Sequence, residues 1–353
     1  MSLANKRWFR TMLAIILTLI IIFLLDKVSF IFTPLLVLLK TIFLPFVIAG
    51  ILFYLCRPLV NFLEKKKVPK GIAIIMAYVS IVLVVFGMYK MIGPVVNDQL
   101  DRFVKNIPEM SEAVQEGIEY VQENRKDMPE FVKTSIENIG TTVEDNLTNW
   151  SKSFLSFITG LFNTIFYLVL VPFILFYMLK DSNRFVPFIE RFFPQNKRKD
   201  VNDVFGAMDK TISSYIQGQV FVSVCVGTLL YIGYLIIGLE YPLVLALFGL
   251  FTNVIPFLGP FLAVIPALLV AIFQDPIMVV YVGIIMLVAQ QIEGNIISPQ
   301  VMGKTLKIHP LTIIVLILFA GNLVGFVGII FVIPVYAVSK TVITHLYKLI
   351  FIK

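Results

Sequence analysis

The residues able to do chemistry in this chain gather between Asn253 and Pro310. The run opens with Asn253-Val-Ile-Pro256-Phe-Leu-Gly259-Pro260 and, after a long apolar stretch, reaches Gln290-Gln291-Ile-Glu293-Gly294-Asn295. It closes through Ser298-Pro299-Gln300-Val-Met-Gly303-Lys304 to His309-Pro310. Polar side chains and helix breakers thus stand at or beside membrane depth in a chain that is otherwise hydrocarbon-like. Backbone broken inside a bilayer needs partners for its freed N–H and C=O groups, supplied by surrounding protein or by a wet cavity. An intramembrane carboxylate such as Glu293 is costly to bury, and so marks a functional site by default. On a helix, Gln290 and Glu293 share one face at i, i+3, while Gln291 lies with Asn295 on another. Amides both donate and accept and suit a neutral, hydroxyl-rich solute, whereas Glu293 offers a cation ligand or a proton carrier. The same groups could instead satisfy one another between packed helices. Tyr215-Ile-Gln217-Gly218-Gln219 opens a further apolar run, and its two amides can bond either a neighbouring helix or a solute.

Composition dictates what must position these groups. Apolar residues make up 58% of the chain and charged residues 14%, against ~45–50% and ~25% in soluble domains; the mean hydropathy is +0.91. Apolar runs of ~20 residues are read as transmembrane helices. Eight spans are expected, near residues 11–25, 32–56, 71–92, 154–179, 215–237, 243–273, 277–291 and 311–335. Lys6, Arg7 and Arg10, then Arg57 with Lys65–Lys67 and Lys70, then Lys180 to Lys210, and finally Lys340, Lys348 and Lys353 fall on one side. That side is the cytoplasm by the positive-inside bias, and both termini lie there. Lys304 and Lys307 resist, because eight-span parity puts their loop outside. At ~1.5 Å per residue the 243–273 run would be about 46 Å long, so it must tilt, kink or break into two half-helices near Asn253–Pro260. Were it a re-entrant hairpin, the Lys304 loop would move inside but the basic C-terminus would move out.

The domain organisation follows from the same pattern. Residues 1–96 carry the first three spans, and 97–150 read as an acidic helical extracytoplasmic domain, with Met110, Val114, Ile118 and Val121 at helical spacing. Residues 151–180 are the fourth span and 181–210 a basic cytoplasmic connection, in which 201–214 is read as an interfacial lead-in helix. Residues 211–340 form the transport core with spans five to eight, and 341–353 a cytoplasmic tail. In the eighth span Gly321, Gly325 and Gly328 suit close helix approach, between copies or along a sliding interface.

Other chemistries lack their residues. No Gly-rich Lys-Ser/Thr phosphate loop occurs, His309 and His345 share no metal-ligand spacing, and Cys56 and Cys225 read as small buried hydrophobes. No cofactor, no metal, no nucleic-acid partner and no enzymatic activity are expected. The fold class is an all-α polytopic membrane protein of about eight transmembrane helices. Broken or re-entrant helices are expected in its C-terminal half, with a small helical extracytoplasmic insertion.

Pro256-Phe-Leu-Gly259-Pro260, Gln290-Gln291-Ile-Glu293-Gly294-Asn295, Ser298-Pro299-Gln300-Val-Met-Gly303-Lys304 and His309-Pro310 resemble the signature of the autoinducer-2 exporter (AI-2E) family. Tyr215-Ile-Gln217-Gly218-Gln219 resembles its inner motif, with Gln217 where the family often carries arginine. The resemblance implies a bacterial inner-membrane transporter, assembled as a homo-oligomer with a pentameric ring as one form. Within the family are exporters of the quorum-sensing signal and sodium(lithium)/proton antiporters. The expected function is secondary export of a small polar, autoinducer-2-like solute by alternating access, the 253–310 region moving against the first four spans. Gln217, Gln219, Asn253, Gln290, Gln291 and Asn295 would contact solute, and Glu293 would couple protons or orient the site. Gly218, Pro256, Gly259, Pro260, Gly294, Pro299 and Gly303 would supply hinges or breaks. The alternatives are a cation/proton antiporter working through Glu293, with H+ or Na+ as partner, and a structural or assembly membrane protein presenting its acidic outer domain.

Overall fold

Three X-Pro pairs and one glycine punctuate the C-terminal half into helices. Proline at the first helical position costs no hydrogen bond, because that N–H has no intrahelical partner in any case. Pro242, Pro276 and Pro310 each open a helix in this way. The Asp275 side chain caps one start by accepting the Ile277 N–H at 3.0 Å. His309 Nδ1 caps another, accepting the Leu311 N–H at 3.3 Å. The His309-Pro310 pair is therefore a helix start.

The computed structural model describes residues 7–28, 30, 33–123, 165–256, 258–302 and 308–351. Its longer helices are α1 (Arg7–Lys27), α2 (Thr33–Lys65), α3 (Lys70–Glu123), α4 (Ile165–Glu190) and α5 (Arg198–Ile236). They are followed by α6 (Pro242–Thr252), α7 (Leu258–Gln274) and α8 (Pro276–Ile292). A π-turn (Glu293–Ile297) then leads into α9 (Ser298–Met302), and the chain ends with α10 (Pro310–Val324) and α11 (Phe326–Phe351). No strand occurs among the described residues, so the all-α polytopic fold stands. Among the described residues, five stretches are long and apolar enough to cross a membrane: Thr41–Lys65, Lys70–Asn106, Gln195–Ile236, Ile277–Val301 and Val327–His345. Shorter apolar helices are Thr11–Ile21, Pro242–Thr252, Leu258–Gln274 and Leu311–Val324.

Helix continuity differs from the sequence expectation in two places. α3 runs unbroken from the third span through residue 97 to Glu123; Pro94 and Pro108 each remove one hydrogen bond from the ladder, and the ladder on either side of them continues. Residues 124–150 of the expected outer domain lie outside the described residues. The stretch 201–214 is the opening of α5 rather than a separate interfacial helix; nothing between it and Tyr215 breaks the backbone ladder.

The chain divides into two compact units, Met1–Phe53 with Ile165–Met178, and Tyr54–Thr164 with Leu179–Lys353. In the first, Ala49, Phe53, Val171 and Leu175 are buried. The second is built around α5, whose buried residues Thr211, Tyr215, Gly218, Gln219, Val222, Ser223, Val226, Gly227, Leu230 and Tyr234 recur at three- and four-residue intervals. Small residues let neighbours come close to it. A Cβ on Gly227 would stand 2.7 Å from Leu250 Cβ of α6, and one on Gly233 would stand 2.5 Å from Ile285 of α8.

The 243–273 run is a helical hairpin. Thr252 ends α6, Leu258 begins α7, and a Cβ on Gly249 would lie 3.6 Å from Ala263, so the two legs run side by side from the break. Gln274 closes the base, donating Nε2 to the Gly238 carbonyl at 2.8 Å and accepting the Glu240 N–H at 2.9 Å. At ~1.5 Å per residue α6 is about 16 Å long, far short of the ~30 Å bilayer core, so it dips and returns.

The expected eighth span is also two helices. Gly325 breaks it at φ 70, ψ −150, a backbone region essentially confined to glycine. A Cβ on Gly321 would stand 3.3 Å from Ile329, and one on Gly328 would stand 2.4 Å from the Ala320 carbonyl oxygen, so α10 and α11 fold back on each other. The close approach of Gly321 and Gly328, expected above between copies or along a sliding interface, is thus made within this chain.

Candidate functional site

The tip of the α6–α7 hairpin carries the first group of the site. α6 ends at Asn253, whose carbonyl is one of the orphan acceptors that any helix C-terminus leaves. Gln219 of α5 answers it, donating Nε2 at 2.6 Å. The tip is held tight by Gly259, where a Cβ would meet the Thr252 carbonyl oxygen at 2.2 Å. Pro260 costs nothing in the first turn of α7, and Pro256 lies in the turn itself, its carbonyl accepting the Leu258 N–H at 2.8 Å.

The Asn253 side chain is 1% exposed, yet neither its Oδ1 nor its Nδ2 has a protein hydrogen-bond partner. Most buried polar side-chain atoms are paired, so a doubly orphaned amide is a marker of use. The Glu293 carboxyl lies close enough for the Asn253 amide to turn a weak, poorly aligned hydrogen bond towards it, one that falls short of ordinary hydrogen-bond geometry. Glu293 is partly buried and accepts Gln290 Nε2 at 3.2 Å.

Glu293 opens the π-turn, in which the Ser298 N–H bonds the Glu293 carbonyl. Pro299 follows immediately, and a proline ring clashes with the carbonyl four residues before it. Widening that turn is the local remedy, and π-bulges of this kind recur at functional sites. Gly294 is exposed within the turn and Pro299 in the first turn of α9.

Two further polar atoms line the same face of α5. Ser223, one turn beyond Gln219, and Tyr215, one turn before it, are buried with unpartnered hydroxyls. Tyr215 packs in a cluster with Ile313, Ile317 and Ile333, against which Leu258 and Ile329 also lie. Both hairpins therefore converge on this face of α5. Tyr215 and Ser223 are not among the site residues expected from the sequence; their four-residue spacing around Gln219 is the signal that points to them.

The structure thus brings together Gln219, Asn253, Gln290 and Glu293. Gln291 and Asn295 share an exposed face of α8 and the π-turn, where Asn295 Nδ2 donates to Gln291 Oε1 at 2.7 Å. Gln217 points elsewhere, donating to the Tyr54 carbonyl at 2.7 Å and to Ser213 Oγ at 3.2 Å. Nearby, Arg57 Nη1 meets both Asp209 oxygens at 2.8 and 2.6 Å, and Tyr54 donates to the same carboxylate at 3.1 Å. This is a polar tie between α2 and α5 built on the helix-to-helix reading of Gln217. Gly218 is buried inside the unbroken α5, so no helix break occurs there. Gly303 lies outside the described residues. Among the described residues no group of three or more His, Cys, Asp or Glu forms a metal-binding set.

Comparison with known proteins yields a family and several relatives. The family model described as AI-2E family transporter matches residues 13–348. The chain is 36% identical over 351 residues to "Putative transport protein YueF" of Bacillus subtilis, covering 96% of this chain and 93% of that protein. It is 31% identical to "Putative transport protein YrrI" of the same organism, covering 97% and 96%. "Putative permease PerM" of Escherichia coli is 31% identical over 191 residues, 54% of each chain.

Proposed function

The chain belongs to the AI-2E transporter family, and from that premise we propose that it exports a small polar, autoinducer-2-like solute through the polar face between α5 and the α6–α7 tip. The observation that carries this reading is the Asn253 amide, buried at a break in a half-helix beside the Glu293 carboxyl, with no hydrogen bond of ordinary geometry on either of its polar atoms. An orphaned donor and acceptor on one side chain suit a solute that offers both. Ser223 and Tyr215 extend the same hydrogen-bonding row along α5, and Glu293 couples protons or orients the solute.

The protein is an integral multi-pass membrane protein; its sidedness belongs to this proposal. With α6–α7 entering and leaving from one side, α9 ends on the side of the basic clusters; Lys304 and Lys307, which follow it in the sequence, lie outside the described residues. The fold-back at Gly325 then brings the C-terminus to that same side. Every basic loop becomes cytoplasmic, as the positive-inside bias requires, and the conflict left by eight simple crossings disappears. The bacterial inner membrane and assembly as a homo-oligomer complete the reading.

Purified protein in liposomes, assayed in parallel for autoinducer-2, sodium and proton fluxes, tests it. Saturable autoinducer-2 flux is the expected result. Sodium or lithium exchange for protons without autoinducer-2 movement replaces the exporter by the antiporter, with Glu293 as the exchanging carboxylate. No flux of any kind leaves the assembly role.

A further inference from the structure

α3 is much longer than a bilayer requires. Gln99 stands some 29 residues after Lys70, about 43 Å along the helix at ~1.5 Å per residue, beyond a core of ~30 Å. At that height α3 meets the base of the α6–α7 hairpin. Gln99 Oε1 accepts the N–H groups of Leu243 and Val244 at 3.1 and 3.2 Å. One turn or two further, Phe103 packs edge-on against Tyr241 with ring centroids 5.4 Å apart, and Asn106 Nδ2 donates to Tyr241 Oη at 2.9 Å. Val96 and Leu100 pack on the same apolar cluster as α6 and α7.

This attachment replaces something α6 lacks. Its N-cap residue, Tyr241, sits in the left-handed region at φ 55 and makes no side-chain cap hydrogen bond. The orphan N–H groups of the first turn are answered instead by a side chain more than a hundred positions earlier in the chain. Burial, and after it the neighbouring Glu240 carboxylate, push the Tyr241 phenol up to about 12. It therefore stays a neutral hydroxyl, available to Asn106, throughout the physiological range. α6 is a single short helix with Asn253 at its far end, so what fixes its first turn also fixes the height and rotation of Asn253.

We propose that Gln99 is a positioning residue for the transport site, acting through α6: α3 holds the hairpin by the first turn of α6 and so sets where the Asn253 amide stands relative to Gln219 and Glu293. This rests on the transport reading for its consequence, but the attachment itself is tested without any solute.

The experiment compares wild type, Gln99→Met and Gln99→Glu. Methionine keeps the length and removes the acceptor; glutamate keeps an acceptor at a helix N-terminus, where a carboxylate is favoured. Hydrogen–deuterium exchange on the full protein in lipid reads the backbone of 242–256. In Gln99→Met, exchange should rise at the first turn and also at the tip, while α5 and α8 keep their protection. Flux at sub-saturating solute in liposomes should fall at least tenfold, and Gln99→Glu should restore both to within about threefold. Tyr241→Phe, which loses the hydroxyl that accepts from Asn106 and donates to Glu240, should raise exchange at the tip by a smaller factor and tests the proposal if Gln99→Met does not fold. Exchange confined to residues 242–245 with wild-type flux, loss of protection spread equally over α5 and α8, or an unchanged tip in Tyr241→Phe would each overturn the proposal. If no solute crosses even the wild type, the transport reading fails, while the exchange data still judge Gln99.

Discussion

At the scale of single residues, Glu293 and the Arg57–Asp209 pair give opposite kinds of prediction. Glu293→Gln keeps shape and hydrogen bonding but removes titration. With Glu293 as the proton carrier, the variant should fold normally, lose gradient-driven transport and become insensitive to pH; with Glu293 only orienting solute, it should keep much of its transport. A flux assay at two external pH values separates the two, and an unchanged pH profile would end the coupling role. Asp209 is two-fifths exposed, and its bond to Arg57 is partly screened. Asp209→Asn should therefore lower stability by only about 1 kcal/mol, measured as a modest fall in thermal midpoint with transport per folded molecule retained. Its effect would be structural because the pair ties α2 to α5 rather than facing the Asn253 amide. The sequence made Gln290 and Glu293 legible as one face, since i, i+3 spacing survives into the structure. It could not separate Gln217 from Gln219. Two positions apart on a helix they face nearly opposite ways, and which neighbour each meets is decided by packing with α2 and α6.

At the scale of elements, two glycines set the two hairpins. Gly259→Ala would drive a methyl into the Thr252 carbonyl, and opening the tip to relieve it should cost about 1–3 kcal/mol and reduce flux together with stability. Gly325→Ala is strained by backbone conformation alone, at about 1–3 kcal/mol, although nothing occupies the space its Cβ would enter. Thermal unfolding of both variants in detergent checks the pair. Proline and glycine density marks the 243–273 run in the sequence as irregular, but a tilt, a kink, two half-helices and a re-entrant hairpin all fit that density. The second break was hidden: residues 311–335 form one apolar run, and its glycines read as equally fit for a helix interface. Only the fold-back, in which Gly321 and Gly328 face the opposite leg, distinguishes a broken helix from a contact between copies. The long reach of α3 was hidden in another way, because the change from apolar to acidic composition near residue 97 marks the membrane boundary and not a helix end.

At the scale of the whole molecule, the proposed sidedness reconciles charge with chain direction. The arrangement predicts that a cysteine introduced at Lys304 is unreactive to an impermeant thiol reagent in intact cells and becomes reactive once the membrane is opened; labelling from outside would restore eight simple crossings. The central claim, that the hairpin tip is where solute is handled, yields a sharper contrast. A polar side chain that is present only for folding weakens the fold when removed, whereas one held unpartnered for a solute weakens the fold while it is there. Asn253→Leu replaces two orphaned buried polar atoms by a side chain of similar size and should raise stability by about 1–3 kcal/mol. The deciding measurement is solute flux per incorporated molecule in liposomes for wild type and Asn253→Leu, paired with their thermal midpoints. A higher midpoint with flux reduced at least a hundredfold is the predicted result; wild-type flux from Asn253→Leu would contradict the account.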